Sequence, residues 1–404
     1  MKNKKKLWLA VILLLIITNT ATFLFSNTLS LAFGNKVLLT TDSQDTAIGL
    51  KKMVMLKDFL EKNYYQPLED DALMEGALKG MFDSIGDPYT VYMTPREYNN
   101  FMTETEGSFG GIGIQVTIDE KGLITVIAPI EDTPGEKAGL KSGDKIVKVN
   151  GEDVIGVELD KVVDKMKGEP GTKVILTIAR EGQKDNIEKE ITREIIRIKT
   201  VKSNTINGDL GYVRISMFDR KTSEDFISQL NTLKGKNIKG LIIDLRGNPG
   251  GLLNEVVKIA DEILDEQLIV YTEDRAGNKR EEFSDKKHKL DIPLVLLVDG
   301  GSASASEILS GAVKDTNSGT LVGTTTFGKG LVQDVESLSD GSGMKYTAAE
   351  YFTPNGINIH GKGIEPDIVI EMPEALSEEG KTDQSEDPQL KKAIEVLKSK
   401  ISTQ

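Results

Sequence analysis

Leu294-Val295-Leu296-Leu297-Val298-Asp299-Gly300-Gly301-Ser302-Ala303-Ser304-Ala305-Ser306-Glu307 changes character twice. An unbroken apolar run reads as a strand buried on both faces, turn-forming residues follow, and small residues then start a helix. The flanking sequence repeats the pattern. Strands are predicted at residues 210–215, 240–245, 293–298 and 320–322, with helices near 223–233, near 253–263 and from about Ser304. Strands that alternate with helices make an α/β core with a mainly parallel sheet.

A serine at the start of the third helix would meet free N–H groups and the positive end of the helix dipole, which favour the negative charge of acyl transfer. Ser302, Ser304 and Ser306 are alike in composition, and each could equally be an ordinary helix cap. A serine nucleophile needs a base. Histidine is the usual one, but the chain has only His288 and His360. Lysine serves when burial or a neighbouring cation lowers its pKa, and Lys329 lies in Phe327-Gly328-Lys329-Gly330-Leu331-Val332-Gln333. Glycine on both sides permits close approach to the sheet, and a strand reading puts Gln333 on the face of Lys329, where its amide could orient the amine. Arg246-Gly247-Asn248-Pro249-Gly250-Gly251-Leu252-Leu253 follows a strand in the same way and offers backbone N–H groups for an oxyanion. Gly323-Thr324-Thr325-Thr326-Phe327-Gly328-Lys329 also fits a phosphate loop. The next residue is Gly330 where Ser or Thr would bind magnesium, and a strand pattern follows instead of a helix, so nucleotide binding is rejected.

The 404 residues suffice for two or three domains, and a net charge of -13 with no basic aromatic-rich face argues against nucleic-acid binding. Absence of cysteine excludes disulfides and thiolate metal sites, and two histidines disfavour a multi-histidine metal site. Lys2, Lys4, Lys5 and Lys6 precede an apolar run from Leu7 to Ile17 that continues, interrupted, to Phe25. Residues 7–26 would span about 30 Å as a helix, so an uncleaved membrane anchor with the rest of the chain outside the cytoplasm is expected. A cleaved signal is the competing expectation, since Ser30-Leu31-Ala32 has the small-x-small form of a signal-peptidase site.

Residues 46–106 show apolar positions at helical spacing, Met55, Leu56, Phe59, Leu60 and then Leu73, Ala77, Leu78, Met81, Phe82, for which packing is the expected role. Asp87-Pro88 ends that pattern, and Thr94-Pro95-Arg96-Glu97 reads as a helix start. From Gly107 short strand-like runs take over, with one helical piece near residues 157–166. Phe109-Gly110-Gly111-Ile112-Gly113-Ile114 resembles the carboxylate-binding loop of PDZ domains, and Ala138-Gly139-Leu140-Lys141-Ser142-Gly143-Asp144-Lys145-Ile146 resembles their second characteristic stretch. Such a loop turns consecutive N–H groups toward a peptide carboxylate while the peptide joins the sheet edge.

In this order, the motifs make the chain similar to the carboxy-terminal processing proteases, the S41 family of PDZ-containing serine peptidases. The resemblance implies a ClpP/crotonase-like protease core with an inserted PDZ domain and an N-terminal helical region. It implies Ser304 as nucleophile, Lys329 as base, Gln333 as its orienting residue, and the N–H groups of Ala305 and of Gly250 or Gly251 as oxyanion donors. Asp87-Pro88-Tyr89-Thr90 and Gly361-Lys362-Gly363-Ile364-Glu365-Pro366-Asp367 look like structural family motifs. Peptide binding falls to Phe109, Gly110, Gly111, Ile112, Gly113 and Ile114, with Phe109, Ile112 and Ile114 as an apolar pocket. Lys167 stands before Gly168-Glu169-Pro170-Gly171 where relatives carry arginine, and lacks the planar fork. Pro249 stands where other members have glycine. The expected division is 1–45 anchor or signal and stalk, 46–106 helical region, 107–192 PDZ domain, 193–370 protease core, and 371–404 acidic linker and terminal helix. Expected partners are proteins or peptides with exposed C-termini, the membrane through the N-terminal segment, and a second copy in a homodimer; no cofactor or metal is expected. The alternatives are a membrane-tethered PDZ scaffold with an inactive protease fold, and a hydrolase using His288 or His360.

Overall fold

The computed structural model describes residues 43–373 and 386–403, with the short strand pair Ala32–Phe33 and Lys36–Val37. The expected anchor lies outside the described residues, as does most of the acidic linker. Among the described residues no helix is long and apolar enough to cross a membrane. The chain forms two compact units that divide between Ser84 and Ile85.

The first unit contains the helices Gln44–Asn63 and Asp70–Asp83. The packing expected for the first of them is not met: no residue of Gln44–Asn63 is buried, and Met55 and Phe59 are 59% and 61% exposed.

The second unit is built on a mainly parallel six-stranded sheet in the order Val201–Ile206, Leu210–Ile215, Gly240–Asp244, Leu294–Val298, Thr320–Gly323, Ile368–Val369. Its first pair is antiparallel and the rest are parallel. Successive side chains on a strand point to opposite faces, and both faces are covered. Leu241, Ile243, Leu294, Leu296 and Val298 face the core formed with helices Thr222–Gly235, Leu253–Asp261 and Ala305–Asp315. Ile242, Val295 and Leu297 face the helix Pro388–Thr403 through Leu390, Ala393 and Leu397. That is why these strands read as unbroken apolar runs.

A second, antiparallel sheet orders Lys279–Phe283, Leu268–Asp274, Gly343–Phe352 and Leu331–Ser337, with Val91–Met93 added to Gly343–Phe352. Of its strands, only the one after Lys329 is expected from the sequence. It draws residues from before the PDZ-like segment: Asp87 and Thr90 hydrogen bond to Thr347, and the helix Pro95–Glu106 starts with the capping box of Thr94 and Glu97.

In the chain between Glu106 and Val201 lies an antiparallel sheet with the path Ile187–Thr192, Lys173–Ala179, Lys145–Val149, Ile124–Pro129, Ile114–Ile118. Helix Leu159–Met166 closes its core through Val162 and Met166. Where the chain passes in and out of this module, Ser108–Gly111 pairs with Glu194–Arg197.

Candidate active site

Three loops leave neighbouring parallel strands at their C-terminal ends, the place where α/β sheets gather their functional groups. The loop after Gly240–Asp244 and the loop after Leu294–Val298 are bonded together. Ser302 Oγ donates to Leu245 O at 2.8 Å, Ala303 N–H donates to Asn248 O at 3.0 Å, and Ser306 Oγ donates to Asn248 O at 3.0 Å. Asn248 is fully buried and its amide donates to Ile215 O at 2.9 Å. Its Oδ1 accepts from Gly250 N–H at 2.9 Å.

These bonds separate three serines that composition left equivalent. Ser302 and Ser306 are fully buried with their hydroxyls occupied. Ser304 is partly exposed and takes φ 53 and ψ -113, a conformation costing about 1–3 kcal/mol for a residue with a Cβ. A strained strand-to-helix turn of this kind projects a side chain away from the sheet. Tyr351, itself buried, donates from its hydroxyl to Ser304 O at 3.2 Å.

The third loop carries Lys329 and is tied to the second by Glu307, to which the sequence reading gave no role. The fully buried Glu307 carboxylate accepts from Ser304 N–H at 2.9 Å, Thr326 Oγ1 at 2.6 Å, Gly328 N–H at 2.7 Å and Lys329 N–H at 2.8 Å. The glycines beside Lys329 serve a close approach, to a loop and not to the sheet. A Cβ at Gly328 would lie 2.8 Å from Gly363 N, and one at Gly330 2.8 Å from His360 N. Burial and then the nearby Lys345 cation push the Lys329 amine below the ordinary lysine range, while Asp87 and Glu307 act in the other direction.

The strand that follows begins at Leu331, so Lys329 precedes it, and the ladder is irregular between Val332 and Gln333. The even-offset reading of Lys329 and Gln333 therefore does not hold, although both line one cavity of about 610 Å³ with Ser304. No hydrogen bond joins Lys329 Nζ to Ser304 Oγ or to Gln333 among the described residues, and the buried Gln333 Nε2 has no partner. Neither histidine lines this cavity. Its walls are largely apolar, with Phe101, Met102, Met217, Leu253, Ile308 and Val332.

Of the expected oxyanion donors, Gly250 N–H is taken by Asn248, whereas the N–H groups of Gly251 and Ala305 have no acceptor among the described residues. Gly250 still has to be glycine: at φ 103, a Cβ would lie 2.7 Å from both Ser304 Cβ and Ala303 O. The preceding Arg246 is held by Asp244 and by Asp387, the latter at 2.7 Å. Asp387, assigned from sequence to a flexible linker, is thus buried and bonded.

In the PDZ-like module, the N–H groups of Ile112 and Gly113 donate to no acceptor among the described residues, and Ile114–Ile118 is the sheet edge. Ile112 is 3% exposed and packs in the module's core, so it is not a wall of a peptide pocket. Gly110 is packed against the turn after helix Leu159–Met166: a Cβ there would lie 2.1 Å from Gly168 O. Lys167 Nζ lies 5.4 Å over the Phe109 ring. The carbonyls at that helix's end, Lys165 O and Met166 O, are capped by the buried Arg193.

Residues 209–370 match the model of peptidase family S41, residues 125–180 match a PDZ domain, and residues 16–96 match the N-terminal domain of the activating protease CtpB. A carboxy-terminal-processing protease of Bartonella bacilliformis is 39% identical over 342 residues, covering 83% of this chain and 78% of that protein. Carboxy-terminal processing protease CtpA of Bacillus subtilis is 36% identical over 375 residues, covering 93% and 79%. CtpB of the same organism is 39% identical over 333 residues, covering 81% and 69%.

Proposed function

The chain belongs to the carboxy-terminal processing proteases of peptidase family S41, PDZ-containing serine-type peptidases, and from that premise we propose a Ser-Lys mechanism gated by the PDZ domain. Ser304 Oγ attacks the substrate carbonyl carbon as the neutral Lys329 amine takes its proton. The oxyanion rests on the N–H groups of Gly251 and Ala305. Lys329 returns the proton to the leaving amine, and the acyl ester is then hydrolysed by water that Lys329 deprotonates in turn. Gln333 orients the amine at the moment of transfer. The observation that carries this reading is the shared cavity: a strained, partly exposed Ser304, a half-buried Lys329 and two unoccupied backbone donors on one wall.

The substrate's C-terminal carboxylate is read by the N–H groups of Ile112 and Gly113, and its last residues extend the edge strand Ile114–Ile118. Gating is supported by continuity of the chain. Ser108–Gly111 follows Gly107 and the helix Pro95–Glu106, whose Tyr98, Phe101, Met102 and Thr105 face the cavity. A Cβ at Gly107 would meet Asp219 Oδ2 at 2.2 Å, so this junction bears directly on the core. The lysine block and apolar run at the N-terminus support membrane attachment, with catalysis outside the cytoplasm on exported proteins. The exposed apolar positions of Gln44–Asn63 suit contact with a second copy.

The test is cleavage by the full chain of an unstructured protein with an apolar C-terminus, free or amidated. Turnover of the free form, slower turnover of the amidated form, and loss of about 10⁴-fold or more in Ser304→Ala and Lys329→Ala are expected. Activity surviving in a folded Lys329→Ala protein defeats the Ser-Lys assignment, and equal rates on the two tails defeat carboxylate reading.

A further inference from the structure

Lys329 Nζ lies 4.3 Å from the centroid of the Tyr89 ring and over its face. That is well inside the distance at which an aromatic quadrupole attracts a cation. The ring is not on the lysine's own loop. It belongs to the segment Asp87-Pro88-Tyr89-Thr90, which is clamped to the strand Gly343–Phe352: Thr347 Oγ1 donates to Asp87 Oδ2 at 2.6 Å, and Thr347 N–H donates to Thr90 Oγ1 at 3.0 Å. Thr90 Oγ1 and Tyr89 N–H both donate back to Asp87, at 2.6 and 2.9 Å. Thr347 is the register partner of Gln333. The segment is therefore fixed to the strand pair that carries the orienting glutamine.

We propose that Tyr89 is a positioning residue for Lys329, its ring face holding the protonated amine away from Ser304 between turnovers. The physical basis is selectivity for charge. A ring face attracts an ammonium and gives little to a neutral amine, so the amine is released toward Ser304 when it loses its proton. The amine has no hydrogen-bond acceptor among the described residues. The charged groups around it are Asp87 on the Tyr89 segment, Glu307 on the nucleophile helix and Lys345 on the adjacent strand; Tyr351 lines the same cavity. Asp87, Glu307 and the ring favour the ammonium, whereas burial and Lys345 oppose it. The ring thus sets how high the pH must rise before the base is available.

The inference rests on the Ser-Lys reading, and its test separates the two. The pH dependence of kcat/KM is measured for the full chain, Tyr89→Phe and Tyr89→Leu on the free-carboxylate protein substrate. Leucine keeps the site apolar and removes the ring; phenylalanine keeps the ring. The acid limb of Tyr89→Leu is expected about 0.5–1 pH unit below that of the parent, with Tyr89→Phe within about 0.2 unit of the parent. Acylation of Lys329 Nζ by a small activated ester, which transfers its acyl group to the neutral amine and expels its alcohol, followed against pH by mass spectrometry in a Ser304→Ala background, should show the same downward displacement without any turnover. A limb or modification profile unmoved in Tyr89→Leu overturns the proposal, as does a Phe variant that moves as far as the Leu variant. Persisting cleavage in Lys329→Ala instead removes the Ser-Lys reading on which it stands.

Discussion

The loops that carry Ser304 and Lys329 leave paired strands, with Val298 beside Gly323, yet they are held in different ways. The serine loop is bonded to the core on both sides of Ser304: Ser302 and Ser306 use their hydroxyls on Leu245 O and Asn248 O, and Ser304 is locked at positive φ. The lysine loop is held through its backbone and the Thr326 hydroxyl, at Glu307 and against residues 361–364, while the amine itself has a ring face as its partner. One half of the site is built rigid and the other is free to move a single long side chain. A switch acting on this enzyme would therefore find less to break on the lysine side.

That contrast can be broken most severely at the residue both loops share. Glu307→Gln turns a carboxylate that accepts four hydrogen bonds into an amide that must face some of the same donors with its own N–H groups. A loss of about 3 kcal/mol in unfolding free energy and at least a tenfold loss in kcat are expected, read by denaturant titration and by cleavage rate. Unchanged stability would show that Glu307 does not brace the two loops. Gln333→Leu should sharpen the contrast from the lysine side. With Nε2 already unpartnered, stability should change by less than about 1 kcal/mol, whereas kcat should fall about 10- to 100-fold with KM nearly constant. A large drop in Tm with unaltered kcat would contradict this. The smallest effect is expected at Lys345. Its charge helps hold the Lys329 pKa down, and Lys329 must be neutral to accept a proton, so activity rises as pH climbs through that pKa. Lys345→Gln removes the repulsion, raises the pKa, and should move the acid limb of kcat/KM to higher pH by a few tenths of a unit; a limb displaced to lower pH would reverse the assigned sign.

Much of this architecture is written in local sequence. Unbroken apolar runs announce strands buried between helices, and the observed sheet sends alternate residues such as Leu296 and Leu297 to different cores. Thr94-Pro95-Arg96-Glu97 announced its helix because a capping box is a short-range device. Of the antiparallel sheet only the strand after Lys329 was legible, and even there a bulge at Val332 and Gln333 defeats period-two reasoning about which side chains share a face. Ile112 was misjudged for a related reason: a glycine-rich loop shows where backbone is free, not which way the intervening side chain turns, and here it turns into the core. The exposed face of Gln44–Asn63 shows the converse, an apolar helical spacing with no cover among the described residues of its unit.

The sequence by itself determined the α/β order, the resemblance to a PDZ-containing protease, and the set of groups able to do the chemistry, because each depends on residues close together in the chain. Tertiary structure alone decided which glycine N–H is left without an acceptor, what binds the Ser304 and Lys329 loops together, and what the lysine amine touches. Those depend on contacts such as Asp87 with Thr347, a separation of 260 residues. No local periodicity records a contact of that kind, since it exists only after the sheets have closed around it.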